Sequence, residues 1–179
     1  MEDKVRRNRL TIAASLAVTA AFIAPAWAAR WDAWVDGPNI FGTTSVLASV
    51  DGSENSLVIQ CNGEDELNLA VITPMSPSDM EVISNAHPIP AKLLIRIDNG
   101  DVKTFDAVMR GWNKSHAGVV VEGRSADVID AVRAIGGAKR VIDIGTVVLG
   151  TRATGTFPAI GSTAAIKKVM EHCKLGGAG

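Results

Sequence analysis

From residue 31 onward, short runs of Val, Ile, Leu, Thr and Trp alternate with turn-forming stretches rich in Gly, Pro, Asn and Asp. This spacing predicts short strands that pair with antiparallel neighbours. The strongest hairpin signal is Asp98-Asn99-Gly100-Asp101, because Asn-Gly lies there between two alternating runs. The predicted strands cover residues 31–35, 44–50, 57–61, 67–73, 92–98, 102–109, 119–122, 141–149 and 156–159.

Two later segments have helical periodicity instead. Ser125 is the predicted N-cap of a helix over residues 126–135, and Ser162 the predicted N-cap of a final helix. The final helix has an apolar stripe at positions i, i+3, i+4 and i+7, which predicts a buried face. Its members are Ile166, Val169, Met170 and Cys173.

Residues 74–90 contain four prolines and predict a loop with one helical turn near residues 78–84. The whole pattern predicts an α+β fold: a mostly antiparallel β-sheet or a small sandwich, with two short helices. Residues 29–175 are predicted to form a single β-rich domain, and residues 176–179 a flexible tail. A hydrophobic content of 47% argues against disorder in the domain.

The first 28 residues have a different pattern. A basic head precedes an apolar run over residues 10–25, and Ala26-Trp27-Ala28 follows as a small-residue cleavage site. This arrangement is typical of a secretory signal peptide cleaved near Ala28, and it predicts a periplasmic protein. Because the apolar run is shorter than the roughly 20 residues that a membrane span needs, we expect no stable membrane insertion after cleavage.

Charge narrows the possible partners. Without residues 1–28 the chain has 14 basic and 17 acidic residues, a net charge of −3. A mildly acidic domain without basic runs lacks the electrostatic footprint of a nucleic-acid-binding protein, so no nucleic acid is expected as a partner.

Cys61 and Cys173 are the two cysteines of the chain. In an exported protein we expect them to form one disulfide, since thiols oxidise outside the cytoplasm. The bridge would close a loop of 112 residues and stabilise the fold by about 4–5 kcal/mol in the chain-entropy model. Two free, buried thiols are the alternative.

Residues with catalytic potential form no recognisable motif. His87, His116 and His172 lie far apart, without metal-ligand spacing, and no G-x-S-x-G sequence marks a nucleophile. We therefore predict no catalytic residue, no metal and no cofactor, and favour a protein that is not an enzyme.

The segment 110–116 is the strongest candidate for recognition, because Arg and Trp are enriched at binding hot spots. The candidate interaction surface consists of Arg110, Trp112, Lys114 and His116, together with Trp34. Alternatively, Trp112 covers a sheet edge or the rim of the core. Trp31 and Trp34 should point to opposite faces of one strand, which leaves one of them exposed or sheltered by another element.

Three short stretches resemble periplasmic proteins of the type VI secretion-associated VasI/TagO kind and, more distantly, of the invasion-associated locus B kind. They are residues 57–61, a strand that ends in Cys61; residues 94–100, a strand with Arg96 that leads into Asp98-Asn99-Gly100; and residues 156–161, followed by Ala165-Ile166 and Cys173. The resemblance implies a small disulfide-bridged periplasmic β-rich domain that acts by binding.

The first hypothesis is therefore an exported, non-catalytic interaction module of the cell envelope. Its partner would be an envelope protein, a peptidoglycan-associated component or a component of a secretion system. Two alternatives remain: a small periplasmic hydrolase, and a carrier that holds a small apolar ligand in a pocket of the sandwich.

Overall fold

The computed structural model describes residues 29–40, 42–63 and 66–175. The predicted signal peptide and the predicted tail lie outside these ranges. Within them the chain forms nine strands and three helices. In chain order these are β1 (Asp32–Asp36), β2 (Ser45–Asp51), β3 (Ser56–Asn62), β4 (Glu66–Pro74), α1 (Pro77–Asn85), β5 (Ile89–Ile97), β6 (Lys103–Asn113), β7 (His116–Glu122), α2 (Ala126–Gly137), β8 (Val141–Val148), β9 (Thr151–Pro158) and α3 (Ser162–His172).

All nine strands belong to one sheet in the order β1-β2-β3-β4-β7-β6-β5-β8-β9, and every neighbouring pair is antiparallel. The predicted α+β fold with a mostly antiparallel sheet is thereby confirmed, in its single-sheet rather than its sandwich form. Side chains alternate between an inner face, which forms the main core, and an outer face.

The two ends of this sheet approach one another. The Trp31 backbone N–H donates to the Ile160 carbonyl at 2.8 Å, and the Trp31 indole Nε1 donates to the Pro158 carbonyl at 3.0 Å. Phe157 of β9 lies against Gly52 in the β2–β3 turn, since a Cβ atom at Gly52 would be 3.0 Å from its ring. The sheet is therefore strongly curved, and its inner face surrounds the core.

The three helices pack on two different parts of the sheet. α2 and α3 pack on each other and on the inner face, where α3 contacts β1, β2 and β3 and α2 contacts β5. The predicted disulfide is confirmed: Cys61 of β3 is bonded to Cys173 at the end of α3. α1 packs separately against β6 and β7, where its buried Met80 contacts Gly111.

Several local expectations differ from the structure. Residues 77–85 form a helix of 9 residues rather than one turn, because Ser76 caps it and Pro77 occupies its first turn. β9 begins at Thr151, five residues before the predicted start of this strand at residue 156, because Leu149 and Gly150 both take positive φ and make a two-residue hairpin. Gly161, not Ser162, is the N-cap of α3; the Ser162 hydroxyl is buried without a partner among the described residues.

The β5–β6 hairpin is confirmed, but its central residues are Asp98 and Asn99, both at positive φ. The Asp98 carboxylate accepts hydrogen bonds from the backbone N–H groups of Lys139, Arg140 and Val141, at 2.6, 2.7 and 3.0 Å. Asp98 therefore attaches the hairpin to the segment between α2 and β8. These hydrogen bonds, that from Lys139 foremost, lower the pKa of Asp98 below its ordinary value of 3.8.

We expect Asp98→Asn to reduce stability in a pH-dependent way. Because the folded-state pKa is depressed, the contribution of the carboxylate is complete above its unfolded pKa and is lost as the pH falls through the folded value. Urea unfolding measures the free energy of unfolding of wild type and variant. The difference between the two should be large at about pH 6 and small at about pH 2.5. A difference that does not change with pH would show that charge is irrelevant at Asp98.

Candidate functional site

Arg110 and Trp112, on the outer face of β6, interact with each other and with neighbouring groups. The Arg110 guanidinium donates to Glu122 at 2.8 Å and lies 5.8 Å from the centre of the Trp112 ring. The ring itself is half-buried against Gly118, where a Cβ atom would be 3.6 Å from its Cε3. Trp112 thus packs on the outer face of an interior strand.

Lys114 and His116 lie at the β6–β7 turn, where Lys114 is exposed. His116 Nδ1 lies 3.1 Å from Asn113 Oδ1 and 3.0 Å from Ser115 Oγ. A nucleophile–base pair requires a third group that orients the base through its other nitrogen, but here both contacts involve Nδ1. This geometry gives no support to the hydrolase hypothesis.

Trp34 lies far from the 110–116 segment. It is on β1, 52% exposed, while Trp31 is buried, as expected for opposite faces. Four strands separate β1 from β6 in the sheet, which places them about 24 Å apart along a flat sheet at the usual strand spacing. The five predicted surface residues therefore do not form one patch.

The inner face of the curved sheet contains a cavity of about 210 Å³, which we call the cup. Its wall is formed by β4, β6, β7, β8 and β9 and by the β2–β3 turn, whereas α2 and α3 contribute nothing to it. The lining residues are Asn55, Val71, Thr73, Met75, Met109, Ala117, Gly118, Val119, Ile144, Thr146, Val148, Thr151, Ala153, Thr154 and Gly155.

The cup has a closed floor and an open rim. Val71, Ala117, Val119 and Ile144 are buried, whereas Thr73 and the start of β9, residues 151–154, are exposed. Space exists here because many inward-facing side chains are small. Elsewhere on the inner face, bulky side chains such as that of Phe157 are fully buried.

The chemistry of the cup is apolar and uncharged. Val, Ile, Ala and Met side chains form most of the wall, and the polar groups are one amide and four threonine hydroxyls. None of the lining residues is ionisable. Because an isolated charge is costly to bury, such a wall selects uncharged ligands. Two flexible methionines, Met75 and Met109, can adapt to the shape of a ligand.

A second depression lies on the outer face between β5, β8 and β9 and encloses about 350 Å³, but it is more open to solvent than the cup. Its charged groups already pair with each other, since Arg96 donates to Asp143 at 2.8 Å. The hydrogen bond from Arg96, aided by one from Thr156, lowers the pKa of Asp143. These groups are therefore satisfied without a ligand.

The sequence predicts an apolar pocket only as an alternative and assigns no residue to it. The sequence feature that indicates the cup is the row of small and threonine side chains at the inward-facing positions of β7 to β9. Among the described residues, no group of three or more His, Cys, Asp or Glu side chains has a metal-binding arrangement, and no helix has the length and hydrophobicity to cross a membrane.

No family model, curated protein or solved structure matches this chain.

Proposed function

We propose that this chain is an exported, periplasmic and non-catalytic binding protein of the cell envelope, and that it holds a small, uncharged, mostly apolar molecule in the cup. The observation that carries the proposal is the cup itself: a one-ended cavity inside the sheet, with an apolar wall and no ionisable lining residue. Ligand sites are typically concave and apolar, with few polar groups.

The size of the cup limits the ligand. An apolar protein cavity of about 150 Å³ accommodates benzene, so a cavity of 210 Å³ has room for a ring with a short substituent. The confirmed disulfide supports an exported protein, because structural disulfides persist in oxidising compartments. The signal-peptide pattern of residues 1–28 supports the same location.

Binding to an envelope protein or a secretion-system component is the second candidate function. The observation that favours it is Trp34, whose indole is half exposed on the outer face of β1. Tryptophan is enriched at binding hot spots. This surface is separate from the cup, so a protein partner and a small ligand are compatible with each other.

Titration calorimetry with 4-ethylphenol, a small uncharged aromatic probe, tests the proposed function. We expect the protein without its leader to bind the probe with a Kd below about 1 mM. Ala117→Phe places a benzyl group in the buried wall of the cup and should weaken binding more than about tenfold, because the ring occupies the ligand volume.

Ala164→Phe is the matched control, since Ala164 is exposed on α3 and does not line the cup. It should bind the probe like the wild type. The absence of binding to the wild type, or an equal loss in both variants, would argue against the cup as the binding site.

A further inference from the structure

Asn55 supplies the one amide group among the lining residues of the cup. It lies at the end of the β2–β3 turn, where its backbone carbonyl accepts a hydrogen bond from Gly52 N–H at 2.7 Å. Its side-chain amide has no hydrogen-bond partner among the described residues. A donor and an acceptor are therefore both available at the wall.

Gly155 lets the Asn55 side chain approach β9. A Cβ atom at position 155 would lie 3.2 Å from Asn55 Oδ1 and 3.3 Å from Nδ2, closer than ordinary van der Waals contact. The hydrogen at Gly155 leaves the space that the amide occupies. The Asn55 amide is thus held at the cup between the β2–β3 turn and β9. Asn55 is half-buried there.

An apolar ligand that fills the cup takes water away from this amide. If the ligand offers no hydrogen-bonding group, the amide is left unsatisfied, and binding is weakened accordingly. A site with such a group discriminates against analogues that lack the matching polar atom. The ligand should therefore have a polar atom where it meets Asn55.

We infer that the ligand is an uncharged molecule with an apolar body and one neutral polar group, such as a hydroxyl, which hydrogen-bonds to the Asn55 side chain, and that Asn55 determines specificity. The inference rests on the proposed function, since it concerns the same cup. The apolar body contacts the floor formed by Val71, Val119 and Ile144, and the polar group faces the β2–β3 turn.

The test compares 4-ethylphenol with 4-ethyltoluene, which has a methyl group in place of the hydroxyl. Asn55→Leu keeps the branched shape of the side chain and removes its polar atoms. We expect this variant to reduce the ratio of the two association constants, phenol over toluene, about three- to tenfold relative to wild type. Asn85→Leu, the same change at an exposed residue of α1 that does not line the cup, should leave the ratio within about twofold of wild type.

If Asn55→Leu does not fold, the same comparison is made with Asn55→Ala. The alanine substitution removes the amide without adding a large apolar group to the exposed turn. An unchanged ratio in the folded Asn55 variant would overturn the inference and leave the proposed function intact. An effect of Asn85→Leu as large as that of the Asn55 variant would also overturn it. If neither probe binds the wild type, the proposed function itself fails.

Discussion

Replacing Cys61 and Cys173 together by alanine will lower the free energy of unfolding by about 4–5 kcal/mol, because the bridge restricts a loop of 112 residues in the unfolded chain. In the native state it connects the end of α3 to β3, and both cysteines are fully buried. A loss of this size is a large part of the net stability of an ordinary domain. Urea unfolding of the double variant against the oxidised wild type measures it.

Wild-type protein treated with a thiol reductant under unfolding conditions is the control, since it loses the bridge without any change of sequence. Its stability should decrease by a similar amount. A double variant that loses less than about 1 kcal/mol would contradict the stabilising role of the bridge. Because no residue of α3 lines the cup, the folded variant should still bind 4-ethylphenol with nearly wild-type affinity.

Phe157→Ala will destabilise the fold by about 3–5 kcal/mol, the usual loss for a large aromatic side chain removed from a core. Phe157 is fully buried, and its ring contacts Gly52 of the β2–β3 turn. It therefore fills the space between the two ends of the curved sheet. Thermal and urea unfolding of the variant measure the loss.

Ile160→Ala is the matched control, because Ile160 is three residues away in the chain but 56% exposed. The free energy of unfolding of the Ile160→Ala variant should differ from that of wild type by less than about 0.5 kcal/mol. Phe157→Leu keeps much of the apolar volume, so its loss of stability should be smaller than that of Phe157→Ala and larger than that of Ile160→Ala. Equal effects of Phe157→Ala and Ile160→Ala would show that the ring does not hold the ends of the sheet together.

Local sequence pattern predicted the interior strands because one of their faces is buried. β2 alternates buried and half-buried residues along its length, which is the period that a half-buried strand produces. β9 was recognised only in part, since Thr151 to Thr154 are exposed and give no apolar alternation. α1 was underestimated because its prolines outweighed the cap at Ser76 and the acidic Asp79 in its first turn.

The cup could not be predicted in the same way, because its wall combines residues from five strands and a turn. An inward-facing Ala117 or Thr146 indicates a cavity only if the sheet curves, and the curvature depends on contacts between residues near positions 31, 52 and 157–160. In the sequence Asn55 is an ordinary turn residue, and only the structure shows that its side chain lies against Gly155 of β9. For the same reason, the sequence suggested a single surface from Trp34 and Trp112, which lie on strands far apart in the sheet.

Methyl NMR of the methionines tests the central claim most directly, because Met75 and Met109 line the cup whereas Met80 and Met170 do not. Met80 lies on α1, where it packs against Gly111 of β6, and Met170 lies on α3. When a chain that begins at residue 29 is titrated with 4-ethylphenol, the Met75 and Met109 methyl signals should shift together and saturate, while those of Met80 and Met170 stay in place. Saturable shifts confined to Met80 or Met170, or none at Met75 and Met109, would contradict a ligand-binding cup inside the sheet.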